Sequence, residues 1–232
     1  MPNPETVLDH YKIWQIAAQK FPHAATLVDQ FFPNQQSPLH AQVDSLQWIC
    51  NPVMKNGSRL LHPPVHLTGY HFVTHDQFKS QSVRIQDQFT KGQWVTWWLG
   101  PPDHLLLPAA KALKGQKLGN VPTVVDHFVC YRVTDAGNVT VTVTLEDQFD
   151  AVIKKKEEVP QLVPKYLGVP AQKLEHGGSK ILHAEAHLAI YAIVPRSHAI
   201  SFSARDQFHT WESLSTVQAL YLAVPALKTA NQ

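Results

Sequence analysis

The sequence predicts an all-β fold built from four pseudo-symmetric repeats of about 58–60 residues. The main observation is the tripeptide Asp-Gln-Phe, which recurs at steps of 58, 60 and 59 residues from Asp29, Asp87, Asp147 and Asp206. Each copy ends a run of alternating apolar and polar residues, and a period of two is typical of strands. Seventeen prolines against ten glycines, with many Val, Thr and aromatic residues, favour short strands and stiff loops over long helices.

Two further features recur around each tripeptide. A His followed four residues later by an aromatic residue precedes it, in the pairs His10 and Trp14, His66 and Tyr70, His127 and Tyr131, and His187 and Tyr191. The sequence Pro-x-x-Lys follows it, starting at Pro52, Pro108, Pro170 and Pro225. We therefore predict four units at about 9–60, 61–120, 121–181 and 182–232. In each, a His-bearing strand, an Asp-Gln-Phe strand, a middle strand and a Pro-x-x-Lys strand should follow in that order.

Several architectures suit four such units. A propeller-like arrangement or a closed barrel accommodates them, and two packed β-sandwiches of two units each fit the period almost as well. Because whole copies fill the chain, we expect residues 1–232 to form a single β-repeat domain without a separate linker. The first and last units are expected to meet.

Composition excludes some classes of function. Charged residues make up 16% of the chain and the formal net charge is +2, so the basic field of a nucleic-acid-binding protein is missing. We expect no nucleic-acid partner. No apolar stretch reaches the roughly 18 residues of a membrane span, and the segment from Met1 to Glu5 lacks the basic and apolar regions of a signal peptide.

Two segments resemble a known family. Residues 46–57, Leu-Gln-Trp-Ile-Cys-Asn-Pro-Val-Met-Lys-Asn-Gly, and residues 66–70, His-Leu-Thr-Gly-Tyr, are similar to motifs of an uncharacterised bacterial and archaeal family of β-repeat domains. That family is marked by a strand ending in Asp-Gln-Phe, then Leu-Cys-x-Pro-x-x-Lys and His-Leu-x-Cys-Tyr. The resemblance implies no particular activity. It does imply an exported or surface-associated protein, so a secreted or extracellular location is the expectation.

The chain keeps two of the cysteines that recur in that family. These are Cys50 and Cys130, and Gly69 stands at the nearest matching position after Cys50. Two cysteines are too few for a disulfide scaffold. Free thiols are the prediction, with a single bridge between Cys50 and Cys130 as the alternative.

The repeated Asp and His residues raise the question of a metal or catalytic site. Asp at a strand end usually caps a turn or accepts backbone N–H groups, so a structural role is predicted for all four. The four His residues could converge on a metal, although a packed, hydrogen-bonded position gives the same pattern. His62 with His66, and His183 with His187, lack the His-Glu-x-x-His signature of a zinc site. We predict no metal and no cofactor.

Positions at which the four copies differ are the better place to look for function. Unit 2 alone carries Trp94, Trp97 and Trp98, and unit 4 has His209 and Trp211 in the corresponding region. On a strand, Trp94 and Trp98 would share one face and Trp97 would take the other. Exposed aromatic faces commonly bind sugar rings, apolar ligands or proteins. We predict a ligand-binding role for these five residues, and packing in the core is the alternative for the tryptophans.

We therefore expect a noncatalytic, exported or surface-associated β-repeat protein that binds a small molecule, a glycan or a protein. The alternative is an enzyme whose pocket lies at the repeat axis or between units and uses His and Asp side chains as acid and base. The sequence contains neither a Gly-rich phosphate loop nor a Gly-x-Ser-x-Gly elbow. It names no catalytic residue.

Overall fold

The computed structural model describes residues 3–175 and 180–230, and the all-β prediction is confirmed in them. Their regular elements are the strands β1 (Tyr11–Val28), β2 (Leu39–Lys55), β3 (His66–Val73), β4 (Gln81–Asp87), β5 (Val95–Leu113), β6 (His127–Asp135), β7 (Val139–Asp147), β8 (Glu157–Lys173), β9 (His187–Ser197), β10 (Ser201–Arg205) and β11 (Thr210–Ala230), the helix α1 (Gln148–Ile153) and a 3-10 turn, Pro4–Thr6. None of the helices in this part of the chain has the length and apolar character needed to span a bilayer.

Eight of the strands form a closed, antiparallel ring. Its order is β1, β2, β3, β5, β6, β8, β9 and β11, and β11 returns to β1. Each unit contributes two neighbouring strands, the one that follows the repeated His and the one that carries Pro-x-x-Lys. Hydrogen bonds therefore join every unit to the next, and the first unit meets the last.

The prediction of four strands in each unit is wrong, because the middle and Pro-x-x-Lys segments form one long strand. In β5 the first part pairs with β4, and the later part pairs with β3 and β6. In unit 1 the His and Asp-Gln-Phe strands are also fused, as β1. Alternating apolar residues indicate extended backbone, but they do not reveal whether the chain breaks between two such stretches.

The strands that end in Asp-Gln-Phe connect units that are two apart along the chain. The end of each pairs with a strand near its Pro-x-x-Lys sequence, in the pairs Leu27 and Lys173, Asp87 and Ala226, Asp147 and Val53, and Arg205 and Ala110. Units 1 and 3 are thereby joined, as are units 2 and 4. The repeats interlock instead of following one another as independent modules.

Apolar side chains form two clusters, one on each face of the ring. The inner cluster takes residues from strands all around the ring, among them Tyr11, Leu106 and Phe128. The outer cluster lies between the ring and the surrounding strands β4, β7 and β10. Cys50 and Cys130 both belong to the inner cluster, and both thiols are free, as predicted.

Gly69 marks a close approach inside the ring. A Cβ atom added at this position would lie 2.8 Å from the Cβ of Trp48 and 3.2 Å from a methyl carbon of Leu106. The first distance is shorter than carbon atoms tolerate without a shift of the backbone. The indole of Trp48 therefore uses the space that a larger residue at position 69 would need.

Candidate functional site

The repeated Asp residues hold units together across the molecule. One carboxylate oxygen of each accepts backbone N–H groups of the segment that follows. The other accepts a hydrogen bond from the repeated aromatic residue two units away: Tyr131 to Asp29 at 2.6 Å, Tyr191 to Asp87 at 2.5 Å, Tyr70 to Asp206 at 2.6 Å and Trp14 to Asp147 at 2.7 Å. The predicted structural role of these carboxylates is confirmed.

The other repeated residues make contacts between neighbouring units. In three units the His Nε2 atom lies near the Gln side chain of the next unit, at 2.6 Å for His10 and Gln88, 3.2 Å for His127 and Gln207, and 3.4 Å for His187 and Gln30. In all four, the Lys amino group lies 3.8–5.6 Å from the centre of a Phe ring: Lys55 over Phe89, Lys111 over Phe149, Lys173 over Phe208 and Lys228 over Phe31. In the described residues no group of three or more His, Cys, Asp or Glu side chains could hold a metal ion.

The contact between His and Gln is missing in unit 2. Its expected partners are His66 and Gln148, yet His66 Nδ1 and Gln148 Oε1 are buried without a hydrogen bond, as is Nζ of Lys111. Gln148 is the first residue of helix α1, whereas turns follow the other Asp residues. The helix begins with a capping box, in which Asp147 accepts from the Asp150 N–H at 2.8 Å and Asp150 accepts from the Asp147 N–H at 2.9 Å.

A buried ionic network fastens helix α1 to unit 1. Nζ of Lys12 donates to both carboxylate oxygens of Asp150, at 2.8 and 3.0 Å, and forms an ion pair with Glu157. Asn51 donates to Asp147 at 2.9 Å. Burial and the neighbouring Asp147 raise the pKa of Asp150 to about 7. Burial opposes the charge on Lys12, but the three carboxylates raise its pKa above the ordinary value.

The side chains of His66, Lys111 and Gln148 line a cavity of about 980 Å³. Its walls are residues 61–66, before β3, and residues 117 and 119–124, between β5 and β6, together with residues 110–111 and Gln148. The described residues lining it include Lys111, Lys117, His62 and His66, and none of them is acidic. The cavities beside the corresponding parts of the other units measure about 210, 290 and 300 Å³. Of these four cavities, the one in unit 2 therefore has the greatest volume.

Hydrogen bonds from other units position both walls of this cavity, which we call the unit 2 pocket. The carboxylate of Asp9 accepts from the backbone N–H groups of Leu61 and His62, each at 2.7 Å. On the other wall, a guanidinium nitrogen of Arg205 lies 3.5 Å from the carbonyl oxygen of Gly119. Units 1 and 4 thus each contact one wall of the pocket.

Burial sets the charge of the pocket. It lowers the pKa of Lys111 to about 7, against an opposing contribution from Asp147. It also lowers the pKa of His66 well below the ordinary value, and nearby Lys111 lowers it further. At neutral pH the imidazole is therefore uncharged, and the ammonium group of Lys111 is close to losing its proton.

The three tryptophans of unit 2 lie in different environments. Trp97 is 2% exposed and its ring packs edge-on against Tyr191, with 5.7 Å between ring centres. Trp98 is 47% exposed, on the opposite face of β5. Trp94 lies before β5 begins and is half-buried, with the guanidinium of Arg84 5.8 Å from its ring. The expected alternation holds for Trp97 and Trp98, and Trp98 offers the largest free aromatic face of the three.

His209 and Trp211 belong to a separate aromatic cluster. Their ring centres are 4.6 Å apart, and Nε1 of the half-buried Trp211 donates to the hydroxyl of Tyr70 at 3.0 Å. Phe21 packs against the same indole, at 5.7 Å. The predicted residues of units 2 and 4 therefore do not form one site, and none of the five lines the unit 2 pocket.

A pair of His and Asp side chains lies inside the ring at its axis. Four residues before each repeated Pro stands an aromatic or His residue, and these four rings meet at centre distances of 3.6–5.9 Å: Trp48, His104, Tyr166 and Tyr221. His104 Nδ1 lies 2.6 Å from Asp103, whose other oxygen accepts from Arg132 at 2.5 Å. Burial lowers the pKa of His104, although Asp103 opposes this.

Reasoning from the sequence alone missed Lys111, His66 and Gln148 as site residues. Each belongs to a motif kept in all four units, and such repetition favours a structural interpretation. The difference that could have indicated a site in unit 2 lies in the segment just before His66. Residues 61–66 read Leu-His-Pro-Pro-Val-His, whereas residues 182–187 read Leu-His-Ala-Glu-Ala-His.

A family model described as "Repeat of unknown function (DUF7450)" matches residues 66–225. The matched span covers unit 3 and most of units 2 and 4, which is more than half of the chain. No curated protein and no solved structure matches the sequence.

Proposed function

The chain belongs to the DUF7450 family of repeats of unknown function, and we propose that it is a noncatalytic binding protein that holds a small molecule in the unit 2 pocket. One observation carries this proposal. Nδ1 of His66, Nζ of Lys111 and Oε1 of Gln148 are buried without a hydrogen-bond partner in residues that line this pocket, whereas the His and Gln side chains of the other units contact each other. A buried polar atom without a partner costs about 1–3 kcal/mol, and a ligand that bonds to it recovers part of that cost.

The size and lining of the pocket support the same role. Small-molecule sites usually have volumes of roughly 300–1,000 Å³ and apolar walls with a few polar groups. The unit 2 pocket, at about 980 Å³, lies at the upper end of that range. Pro63, Pro64, Val65 and Pro122 supply apolar wall, and Lys111 is among the few polar groups.

The exposed aromatic residues are proposed as a second contact surface, for a glycan or a protein partner. Trp98 presents a largely free indole, and the exposed His209 lies beside Trp211. Trp94 and Trp97 would support that surface from partly and fully buried positions. Aromatic faces of this kind contribute large contact areas at low cost in side-chain entropy.

The proposal is tested by screening small molecules for binding and then blocking the pocket. A panel of monosaccharides, amino acids, organic acids and nucleosides would be screened by thermal shift, and hits measured by calorimetry. We expect hits that lose at least about tenfold in affinity in Val121→Trp, which fills the pocket. Val194→Trp is the control, because Val194 is 56% exposed and does not line the pocket.

The outcome also decides between the two surfaces. If a molecule still binds to Val121→Trp but no longer binds to Trp98→Ala, the binding site is the surface at Trp98 and not the pocket. Hits that survive both changes would contradict both sites. Circular dichroism of each variant establishes that the fold is intact before affinities are compared.

The enzyme alternative is favoured by one observation, the hydrogen-bonded pair of Asp103 and His104 at the ring axis. The stacking of Trp48 on the imidazole, at 3.6 Å between ring centres, covers one face of His104 and suits a packing role better. An identified ligand that the wild type consumes with time, and that His104→Asn leaves unchanged, would establish the enzyme instead.

A further inference from the structure

The four repeated lysines differ in the charges around them. Burial lowers the pKa of three of them, and a Glu side chain opposes this shift in each case: Glu5 for Lys55, Glu175 for Lys173 and Glu185 for Lys228. For Lys111 the sole electrostatic contribution from an acidic group comes from Asp147, within the part of the chain that the structure describes. Lys111 therefore lacks the carboxylate that accompanies its counterparts.

The missing carboxylate can be located by comparing units 2 and 4. Asp9 bonds to the backbone N–H groups of residues 61 and 62, and Asp126 bonds in the same way to residues 182 and 183. The two segments thus correspond residue by residue, which places Pro64 opposite Glu185. Unit 2 has proline where unit 4 has Glu185, whose negative charge favours the protonated form of Lys228.

Asp147 is poorly placed to neutralise Lys111 alone. Its carboxylate already accepts hydrogen bonds from Trp14, from Asn51 and from the Asp150 N–H, and it also lies in the field of Lys12. A carboxylate shared among that many donors has little remaining capacity as an acceptor. The charge that Lys111 carries when protonated is therefore incompletely balanced from the protein side.

The other charged and titratable groups around Lys111 are mostly basic. His62, His66 and Lys117 share the pocket lining with it. Arg205 reaches the Gly119 wall from β10, the strand that pairs with the end of β5. An anion entering the pocket would meet a positive field whenever Lys111 is protonated.

We propose that the unit 2 pocket binds an organic acid, whose carboxylate pairs with Nζ of Lys111 and takes the place that Glu185 has in unit 4. The inference rests on the proposed function, because it names the ligand class for that pocket. A carboxylate is the group found near the other three repeated lysines, and the cavity volume leaves room for an organic body beyond the carboxylate.

Binding should depend on pH. In the empty pocket the pKa of Lys111 is about 7, and a bound carboxylate stabilises the protonated form, so binding takes up a proton above that pH. Affinity for a fully ionised acid should then fall by up to about tenfold for each pH unit above 7. The other charged or titratable groups around the pocket are His62, His66 and Lys117 in its lining, Arg205 at Gly119 and Asp147 near Lys111.

The test uses matched pairs of acids and amides. Acetate, glutarate and benzoate are compared with acetamide, glutaramide and benzamide by calorimetry at constant chloride concentration, at pH 6.5, 7.5 and 8.5, with inorganic phosphate as a separate anion. We expect at least one acid to bind, its amide to bind at least about tenfold more weakly, and affinity to fall with pH. Equal binding of an acid and its amide, phosphate binding alone, or no acid binding at all would overturn the inference.

Two variants locate the binding. Lys111→Met removes the charge, and Pro64→Glu supplies the carboxylate present in unit 4; both should lower the affinity for the acid by at least about tenfold. Lys228→Met is the matched control, because Lys228 is already accompanied by Glu185, and it should leave binding unchanged. Should Pro64→Glu fail to fold, Lys111→Met with its control still decides the matter.

This inference and the proposed function can fail separately. Suppose that a neutral molecule binds to the wild type, that Val121→Trp abolishes its binding and that Lys111→Met does not affect it. The pocket would then remain the binding site, but the proposal that its ligand is an organic acid would be wrong. If an acid binds equally well to the wild type, to Val121→Trp and to Lys111→Met, the unit 2 pocket is not the binding site.

Discussion

Trp97 and Trp98 are adjacent on β5 but occupy opposite environments, 2% and 47% exposed. Removing the Trp97 side chain would leave a large cavity beside Tyr191, so we expect Trp97→Ala to lower the free energy of unfolding by about 3–5 kcal/mol. Trp98→Ala should change it by no more than about 0.5 kcal/mol, because little of its contact is lost. Urea denaturation followed by circular dichroism measures both.

Trp98→Phe serves as the control for this pair, since it keeps an aromatic ring at the exposed position. If Trp97→Ala proves as stable as Trp98→Ala, the assignment of Trp97 to the outer core cluster is wrong. The comparison also prepares the binding experiments, because Trp98→Ala can be used as a surface variant only if its fold is intact.

For single residues, the sequence predicted the features that depend only on the alternation of side chains along a strand. The opposite faces of Trp97 and Trp98 follow from the period of two in a strand. It could not show which face was buried, because that depends on Tyr191, about a hundred positions away. The two segments 61–66 and 182–187 can be aligned in sequence, but the alignment alone could not show that Glu185 acts on Lys228 and that Lys111 lacks such a neighbour, because these lysines are more than forty positions away.

Helix α1 is the element that sets unit 3 apart, and it depends on Lys12. We expect Lys12→Met to lower the free energy of unfolding by about 3–5 kcal/mol, because Asp150 would remain buried without its cation and Glu157 would keep only the longer contact with Arg196, at 3.4 Å. Lys114→Met is the control, since Lys114 is exposed. Urea denaturation compares the two variants with the wild type.

The cost of Lys12→Met should depend on pH. Burial and Asp147 raise the pKa of Asp150 to about 7 even with Lys12 present. A carboxyl group with a raised folded-state pKa destabilises the fold increasingly between its unfolded pKa, about 4, and its folded pKa. Because Lys12 lowers the pKa of Asp150, removing Lys12 raises that pKa further and extends the destabilisation to higher pH. The difference in unfolding free energy should be smaller at pH 5.5 than at pH 8. An equal or smaller loss at pH 8 would show that the carboxylates are not desolvated as described.

The existence of α1 could not be predicted from the repeat. Self-comparison assigns the same local structure to every Asp-Gln-Phe copy, yet in unit 3 Asp150 follows at the third helical position and completes a capping box with Asp147. The anchor, Lys12, lies 138 residues away in sequence. A short helix held by so distant a contact leaves no periodic pattern to detect.

On the scale of the whole molecule, the repeat predicted the class of fold and the number of units but not how they connect. The period suits a propeller-like arrangement, a barrel or paired sandwiches, because each requires units of similar length. The deciding contacts join units that are not neighbours in sequence, such as Tyr131 with Asp29 and Tyr191 with Asp87. These residues were recognised as repeated, but their partners two units away could be found only in three dimensions.

The interlocking has a thermodynamic consequence. In linear repeat proteins each unit contacts its neighbours only, and terminal units can open separately. Here β11 closes the ring on β1, and the strands ending in Asp-Gln-Phe bind units 1 to 3 and 2 to 4. Opening one unit therefore disrupts the other three, and the chain should unfold in one cooperative step.

The two cysteines report on this cooperativity, because Cys50 and Cys130 are fully buried inside the ring. Burial raises the pKa of both thiols, which leaves little thiolate to react in the folded protein. We expect neither thiol to react with Ellman's reagent faster than the chain unfolds, and both to react at one common rate as urea approaches the unfolding midpoint. Fully denatured protein, in which both thiols should react at once, is the control. If one cysteine reacted well before the other under native conditions, the ring would open locally between particular strands, and the four units would not be bound into a single cooperative structure.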